Sequence, residues 1–167
     1  TKGRPLSPSL PSWLPLAGAA ALALVTVLVY ANSFSGVAIG DDEQAIVQNT
    51  TIRSLSPAVF SPPADTTVAA RPVANLTFAI NYALAGGTAN LWSYHAVNLA
   101  IHILTALALL GLVGRTLRSP ALGGRFDAVQ AMYASLAIAA LWVLHPLHTQ
   151  AVTFLAQRVE ALMGFFY

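Results

Sequence analysis

The chain contains no cysteine, which excludes disulfides and thiolate metal sites and leaves the redox compartment unmarked. Charge is also scarce. Only 8% of its 167 residues are Asp, Glu, Lys or Arg, against roughly 25% in soluble globular domains. Eight Lys or Arg stand against six Asp or Glu, a net charge of +2. That is too small and too scattered for a nucleic-acid partner. No internal repeat or low-complexity tract is present. What remains is apolar: 56% of the residues are hydrophobic, the balance of a membrane protein whose partner is the lipid bilayer.

A bilayer core of about 30 Å needs roughly 20 apolar residues in a helix. Residues 13–31, "WLPLAGAAALALVTVLVYA", meet that length without a charge and carry aromatic rings near both ends, where such rings favour the interface. A signal peptide is the alternative, since Lys2 and Arg4 precede the run. The length of the run and the spans that follow favour an anchor. A second span covers 92–113, a third 129–144 ending against His145-Pro146, and a fourth starts from about Leu155. The expected fold class is therefore all-α: a polytopic transmembrane helical bundle of about three complete spans plus the start of a fourth. Thr1 is not an initiator methionine, and Tyr167 stands in a rising apolar run. The chain thus reads as the N-terminal part of a longer protein whose C-terminal remainder is absent.

Lys and Arg set the orientation. Lys2 and Arg4 mark the N-terminal tail, and Arg115, Arg118 and Arg125 mark the loop between spans two and three; both are expected on the cytoplasmic side. The external loop, residues 32–91, sets Arg53 and Arg71 against Asp41, Asp42, Glu43 and Asp65. Within it Val73, Leu76, Ile80 and Leu84 recur at helical spacing between Arg71, Asn75 and Asn81. This pattern predicts an interfacial helix with Leu76 and Ile80 shielded and Asn75 facing water. Gly86-Gly87 ends it, and "SPAVFSPPADTT" before it is a proline-punctuated turn region.

Three groups of residues carry candidate chemistry. Asp41, Asp42 and Glu43 follow one another, so at most two of the three can face a common site. Asp41 or Asp42 either caps a helix beginning near Glu43 or acts as a general base at the membrane surface. Of the two, Asp42 is expected to be the more sensitive to substitution. His145 and His148 are one helical turn apart with Pro146 between them. They are either interfacial histidines or part of a metal or phosphate site, and no third ligand adjoins them. Arg158 and Glu160 fall where a fourth span enters the bilayer, where ionisable groups are costly. They form either a plain ion pair or, through Arg158, a phosphate clamp, with Arg71 as a second cation or a snorkelling surface residue. Asn98 and His102 share a face of span two, suited to interhelical hydrogen bonds or a proton relay. Asn49-Thr50-Thr51 and Asn75-Leu76-Thr77 match glycosylation sequons, a pattern frequent by chance.

"YANSFSGVAIGDDEQAIVQNTTI", "RPVANLTFAINYALAGGTANLWSYHAVNLAIHILTALAL" and "LWVLHPLHTQAVTFLAQRVEAL" occur in this order. Together they resemble the N-terminal membrane part of the TMTC-type proteins, transmembrane proteins with tetratricopeptide repeats. That family is similar to the GT-C class of polytopic glycosyltransferases. The resemblance implies that residues 1–167 are the N-terminal part of one GT-C-like membrane domain. It implies transfer of a hexose, with mannose the candidate, from a polyprenyl or dolichyl phosphate donor to a protein hydroxyl acceptor. Asp41 or Asp42 would be the catalytic acid of the first external loop. Arg71, His145, His148, Arg158 and Glu160 would bind the donor, and no residue is assigned as a metal ligand. No cofactor is firmly implied, although a divalent cation could join the acids. Gln150 stands where the family's H-P-x-H-T-E-A-V pattern has Glu, and a carboxamide cannot take an acidic role there. The fragment alone is expected to be inactive. The rival reading is a non-catalytic membrane scaffold that anchors a tetratricopeptide-repeat interaction domain. The alanine-rich composition points to a bacterial inner membrane, or to the ER membrane for a eukaryotic source.

The charge distribution is directly testable. A cysteine introduced at Ser61 should react with an impermeant maleimide only from outside, and one at Ser119 only from the cytoplasm. Reaction of both from one side would contradict the orientation.

Overall fold

The computed structural model describes residues 11–167, so the tail cations Lys2 and Arg4 lie outside the described residues. The described chain is helical, with no strand among these residues. Helix α1 covers Leu14–Tyr30, with Pro15 in the first turn, where its missing N–H costs nothing. A tight 3₁₀ turn over Ala31–Ser35 extends it into a 22-residue apolar segment. Helix α2, Pro72–Ala85, lies in the long loop. Helix α3, Trp92–Leu117, is 26 residues of uninterrupted helix. Helix α4, Ala128–Val143, starts from a capping box. There Asp127 accepts from the Gln130 N–H at 2.8 Å, and the Gln130 side chain accepts from the Asp127 N–H at 3.2 Å. Helix α5, Thr149–Thr153, and helix α6, Arg158–Phe166, complete the chain.

Two of these segments are long and apolar enough to cross a membrane, and a bent pair makes a third candidate. That is fewer than the three complete spans and fourth start read from the sequence. Helix α4 has 16 residues, about 24 Å at 1.5 Å per residue, short of the hydrocarbon core by itself. His145, held extended before Pro146, stops it. The chain resumes at an angle of 54° through Pro146–Thr153. Helix α6, at the place read as the start of a fourth span, opens on Arg158, which is buried in protein.

The long helices run up, down and up. The C-terminal ends of α1 and α4 meet beside the N-terminal half of α3: the Tyr30 hydroxyl donates to the Val143 carbonyl at 3.1 Å, and His102 Nε2 donates to the same oxygen at 3.0 Å. Leu22, Ala106, Ala139 and Val143 form the core between them. The long loop folds over this end around a second core that includes Ile46, Ile52, Val59, Val68, Phe78 and Leu155. Each such side chain contributes roughly 1.5–3 kcal/mol on full burial. The loop is therefore a packed cap on the bundle.

Helix α2 carries the predicted apolar stripe but presents it in an unexpected direction. Val73, Ile80 and Leu84 are exposed and Leu76 packs partly buried against the loop core, whereas Asn75 and Asn81 are buried against the protein. The Asn75 amide donates to the Val59 carbonyl at 2.7 Å and to Thr51 Oγ1 at 2.9 Å, and its oxygen accepts from Asn49 at 2.9 Å. The polar groups are satisfied inside, which leaves the apolar face for lipid. Both sequon asparagines are also buried, at 1% and 0% exposure, so the folded chain offers neither for glycosylation.

Spin labels at Ile80 and Leu84 should accordingly be quenched by oxygen and shielded from an aqueous nickel chelate. Asn75→Leu should destabilise the loop by orphaning its partners, at about 1–3 kcal/mol for each unsatisfied group. Ready access of the chelate to Ile80 and Leu84 would show that this face meets water.

Candidate functional site

The acids are positioned by a tight turn. Gly40 has φ +58°, a left-handed conformation that glycine adopts without a Cβ clash. The Asp42 N–H then closes on the Ile39 carbonyl at 3.2 Å, and the Glu43 N–H on the Gly40 carbonyl at 3.2 Å. Upstream, Gly36 packs against His95: a Cβ there would lie 3.0 Å from the imidazole. A larger residue there would crowd the imidazole and the Ser33 carbonyl, so the segment leading to the acids or His95 would have to shift. His95 donates from Nδ1 to the Val152 carbonyl at 3.3 Å, which ties α3 to α5 at the same place.

Asp41 and Asp42 then diverge. Asp42 is 1% exposed. Its Oδ1 accepts the Ala156 N–H at 2.7 Å, a bond spanning 114 residues, and its Oδ2 accepts the Ile39 N–H at 3.4 Å. A wide helical turn, Glu43–Val47, does begin next to it, but the Asp42 side chain makes no capping bond to that turn. The helix-cap reading of Asp42 is thereby corrected: the carboxylate is used across the fold, where a distant backbone N–H lacks any other partner. Asp41 is exposed and, with Asp42, lines a cleft of about 270 Å³ completed by Ile39, Gly40, Gln150, Phe154, Ala156 and Gln157. Glu43 turns aside and accepts from Gln48 at 3.3 Å.

Arg158 is fully buried. Its Nε donates to Asn98 Oδ1 at 2.7 Å, Nη1 to the Thr77 carbonyl at 3.3 Å, and Nη2 to Asn81 Oδ1 at 2.9 Å and the Tyr94 carbonyl at 3.0 Å. The guanidinium lies over the Phe78 ring, 4.3 Å from its centre. Burial lowers its pKa to about 9, so it keeps its charge at neutral pH. No carboxylate pairs with it among the described residues. A group whose donors are occupied in this way is not placed to hold a phosphate. It joins α2, α3 and α6, and it follows directly on the turn that presents the Ala156 N–H to Asp42. Asn98, which shares its oxygen with Arg158, donates to the Phe154 and Leu155 carbonyls at 3.2 and 3.3 Å.

The remaining expected site residues lie elsewhere on the same end of the bundle. Arg71 and Glu160 pair at 3.4 Å with both side chains about half exposed. They edge a largely apolar groove of about 510 Å³ that includes Val73, Leu162, Met163 and Phe166. His148 packs on Trp142 with ring centres 4.5 Å apart, and His102 stands 6.0 Å from it. His145 is exposed, and its Nδ1 accepts the Leu147 N–H at 3.2 Å. Neither histidine lines the acidic cleft. No group of three His, Asp or Glu side chains able to hold a metal occurs among the described residues. Residue type alone does not single out the cleft residues Gln150, Phe154 and Gln157, although Gln150 departs from the family pattern. For the buried network the signals are Asn81, an amide within an apolar run, Asn98 on the face of span two suited to interhelical hydrogen bonds, and the charge of Arg158 itself.

No family model matches the chain, and no solved structure matches it. Curated proteins do. The chain is 29% identical over 170 residues to Protein O-mannosyl-transferase TMTC4 of Mus musculus, covering 94% of this chain and 22% of that protein. It is 31% identical over 143 residues to Protein O-mannosyl-transferase Tmtc2 of Drosophila melanogaster, covering 80% and 14%. It is 34% identical over 155 residues to Protein O-mannosyl-transferase Tmtc1 of the same fly, covering 87% and 16%. The chain thus spans between about a seventh and a fifth of the length of these relatives. With matches running over four-fifths or more of its residues, the chain is of the TMTC type.

Proposed function

We propose that this chain forms the acidic, extracytoplasmic end of a membrane glycosyltransferase that moves a hexose, mannose by analogy with its relatives, from a polyprenyl or dolichyl phosphate to a protein hydroxyl. The observation that carries the reading is the division of labour between adjacent acids. Asp42 is buried and bound to the Ala156 N–H, while Asp41 is exposed at the cleft beside it. Asp41 is therefore the candidate base, and Asp42 the brace that sets its position. The acceptor oxygen attacks the anomeric carbon as the carbon–oxygen bond to phosphate breaks. The leaving phosphate takes that electron pair, and the hydroxyl proton passes to Asp41. Positive charge growing on the sugar ring is stabilised by the two carboxylates.

Arg71 is the cation we assign to the donor phosphate. It is half exposed beside an apolar groove and can leave Glu160 for a better anion. Arg158 holds the fold instead, and His145 and His148 have no assigned step. Residues beyond this chain complete the enzyme, and the cysteine-free, alanine-rich composition is the ground for placing it in a bacterial inner membrane.

In membranes containing the whole protein, Asp41→Asn should lower transfer from a radiolabelled polyprenyl-phosphate mannose by about 10²–10⁴-fold, the usual contribution of a general base, with thermal stability unchanged. Asp42→Asn keeps an acceptor for the Ala156 N–H and should fold. Asp42→Leu leaves that N–H bare and should lose about 1–3 kcal/mol of stability. Full transfer by Asp41→Asn would remove the base and favour the scaffold reading.

A further inference from the structure

The acidic cleft has a composition that its two carboxylates alone do not explain. The turn at 39–42 supplies one side, and the segment from Gln150 to Gln157 supplies the other. That second side is lined by two carboxamide residues, Gln150 and Gln157, and one aromatic residue, Phe154. Its volume of about 270 Å³ lies below the roughly 300–1,000 Å³ of drug-sized sites. It fits one small ring and is too small to take a lipid tail as well.

Carboxamides offer both donors and acceptors, which suits neutral hydroxyls that need both. The carboxylates accept from hydroxyls but repel a phosphate, because like charges this close cost energy. The ring of Phe154 is about one-third exposed and offers an apolar surface to the C–H face of a pyranose. We infer that Gln150, Gln157 and Phe154 are the sugar-reading residues of this chain, and that the cleft binds the hexose ring of the donor with its phosphate outside. This rests on the glycosyltransferase reading for its choice of ligand. It goes further by naming which residues recognise the sugar and which part of the donor enters. A glutamate at position 150 would only accept hydrogen bonds, whereas Gln150 also donates. The pattern of hydroxyls accepted should therefore depend on this position.

Labelling of single introduced cysteines gives a binding test that does not depend on turnover, and residues 1–167 contribute no cysteine of their own. Gln150→Cys and Gln157→Cys, with Ser61→Cys as an exposed control, are placed singly in the whole protein in proteoliposomes. Labelling by a water-soluble maleimide is followed at each site by mass spectrometry. Polyprenyl-phosphate mannose should slow labelling at 150 and 157 but not at 61, and polyprenyl phosphate without sugar should not slow it. Separately, Gln157→Ala should weaken donor binding by roughly two- to tenfold, the equivalent of one neutral hydrogen bond.

Equal protection by the sugar-free lipid would show that phosphate enters the cleft, and no protection by either lipid would show that the donor does not; each overturns the inference. The catalytic reading is judged apart from this, by transfer in Asp41→Asn. Sugar-dependent protection in a protein whose transfer ignores that substitution would keep the sugar site and overturn the base. Transfer that needs Asp41 without protection at 150 and 157 would do the reverse.

Discussion

A buried arginine with no carboxylate partner among the described residues is the constraint on which the rest of this structure depends. Leaving a guanidinium in low dielectric costs several kcal/mol unless its donors are satisfied. The chain meets that cost with neutral acceptors alone: two asparagine side chains and two backbone carbonyls, with an aromatic face alongside. Those acceptors come from α2 and α3, while Arg158 opens α6. One side chain thus determines how the loop helix, the long membrane helix and the chain's last helix meet. Asn98 extends the effect by binding the Phe154 and Leu155 carbonyls with its other end.

The candidate chemistry follows from that arrangement. The turn fixed by Arg158 and Asn98 presents the Ala156 N–H, and Asp42 closes on it from 114 residues away. Asp42 is bound there, its neighbour Asp41 is exposed and lines the cleft, and Gly40 provides the reversal that precedes both. Pre-organisation of this kind matters because an acid placed even an ångström off loses much of its effect. Arg71 and Glu160 remain outside the network, half exposed, with Arg71 also donating to the Thr67 carbonyl at 2.8 Å. The two arginines of this end therefore differ in setting, one buried among neutral acceptors and one half exposed in an ion pair.

Much of the scaffold could be read from the chain because lipid imposes a simple rule: spanning backbone must satisfy itself, and apolar length reveals it. The runs after Trp13 and Trp92 and the stop at His145-Pro146 were legible on that basis. The long loop was legible only in period. Its stripe of Val73, Leu76, Ile80 and Leu84 was visible, but the direction it faces depends on Asn75 and Asn81 finding partners within the protein, and those partners lie outside the helix. The inward turn of Arg158 was illegible for the same reason, since its acceptors are scattered over residues 77–98. The difference between Asp41 and Asp42 depends on one backbone N–H at residue 156, which no local pattern announces.

Hydrogen–deuterium exchange on Arg158→Met in the whole protein, with Arg71→Met as control, tests this dependence most directly. Methionine preserves much of the bulk but leaves the four acceptors and the aromatic face without their cation. If Arg158 organises this end of the molecule, its loss should speed exchange together in α2 and at the Ala156 amide that Asp42 holds, while Arg71→Met leaves both near the unmodified rate. Unchanged protection at Ala156 in Arg158→Met would contradict the account, since the acid pair would then be held without the arginine.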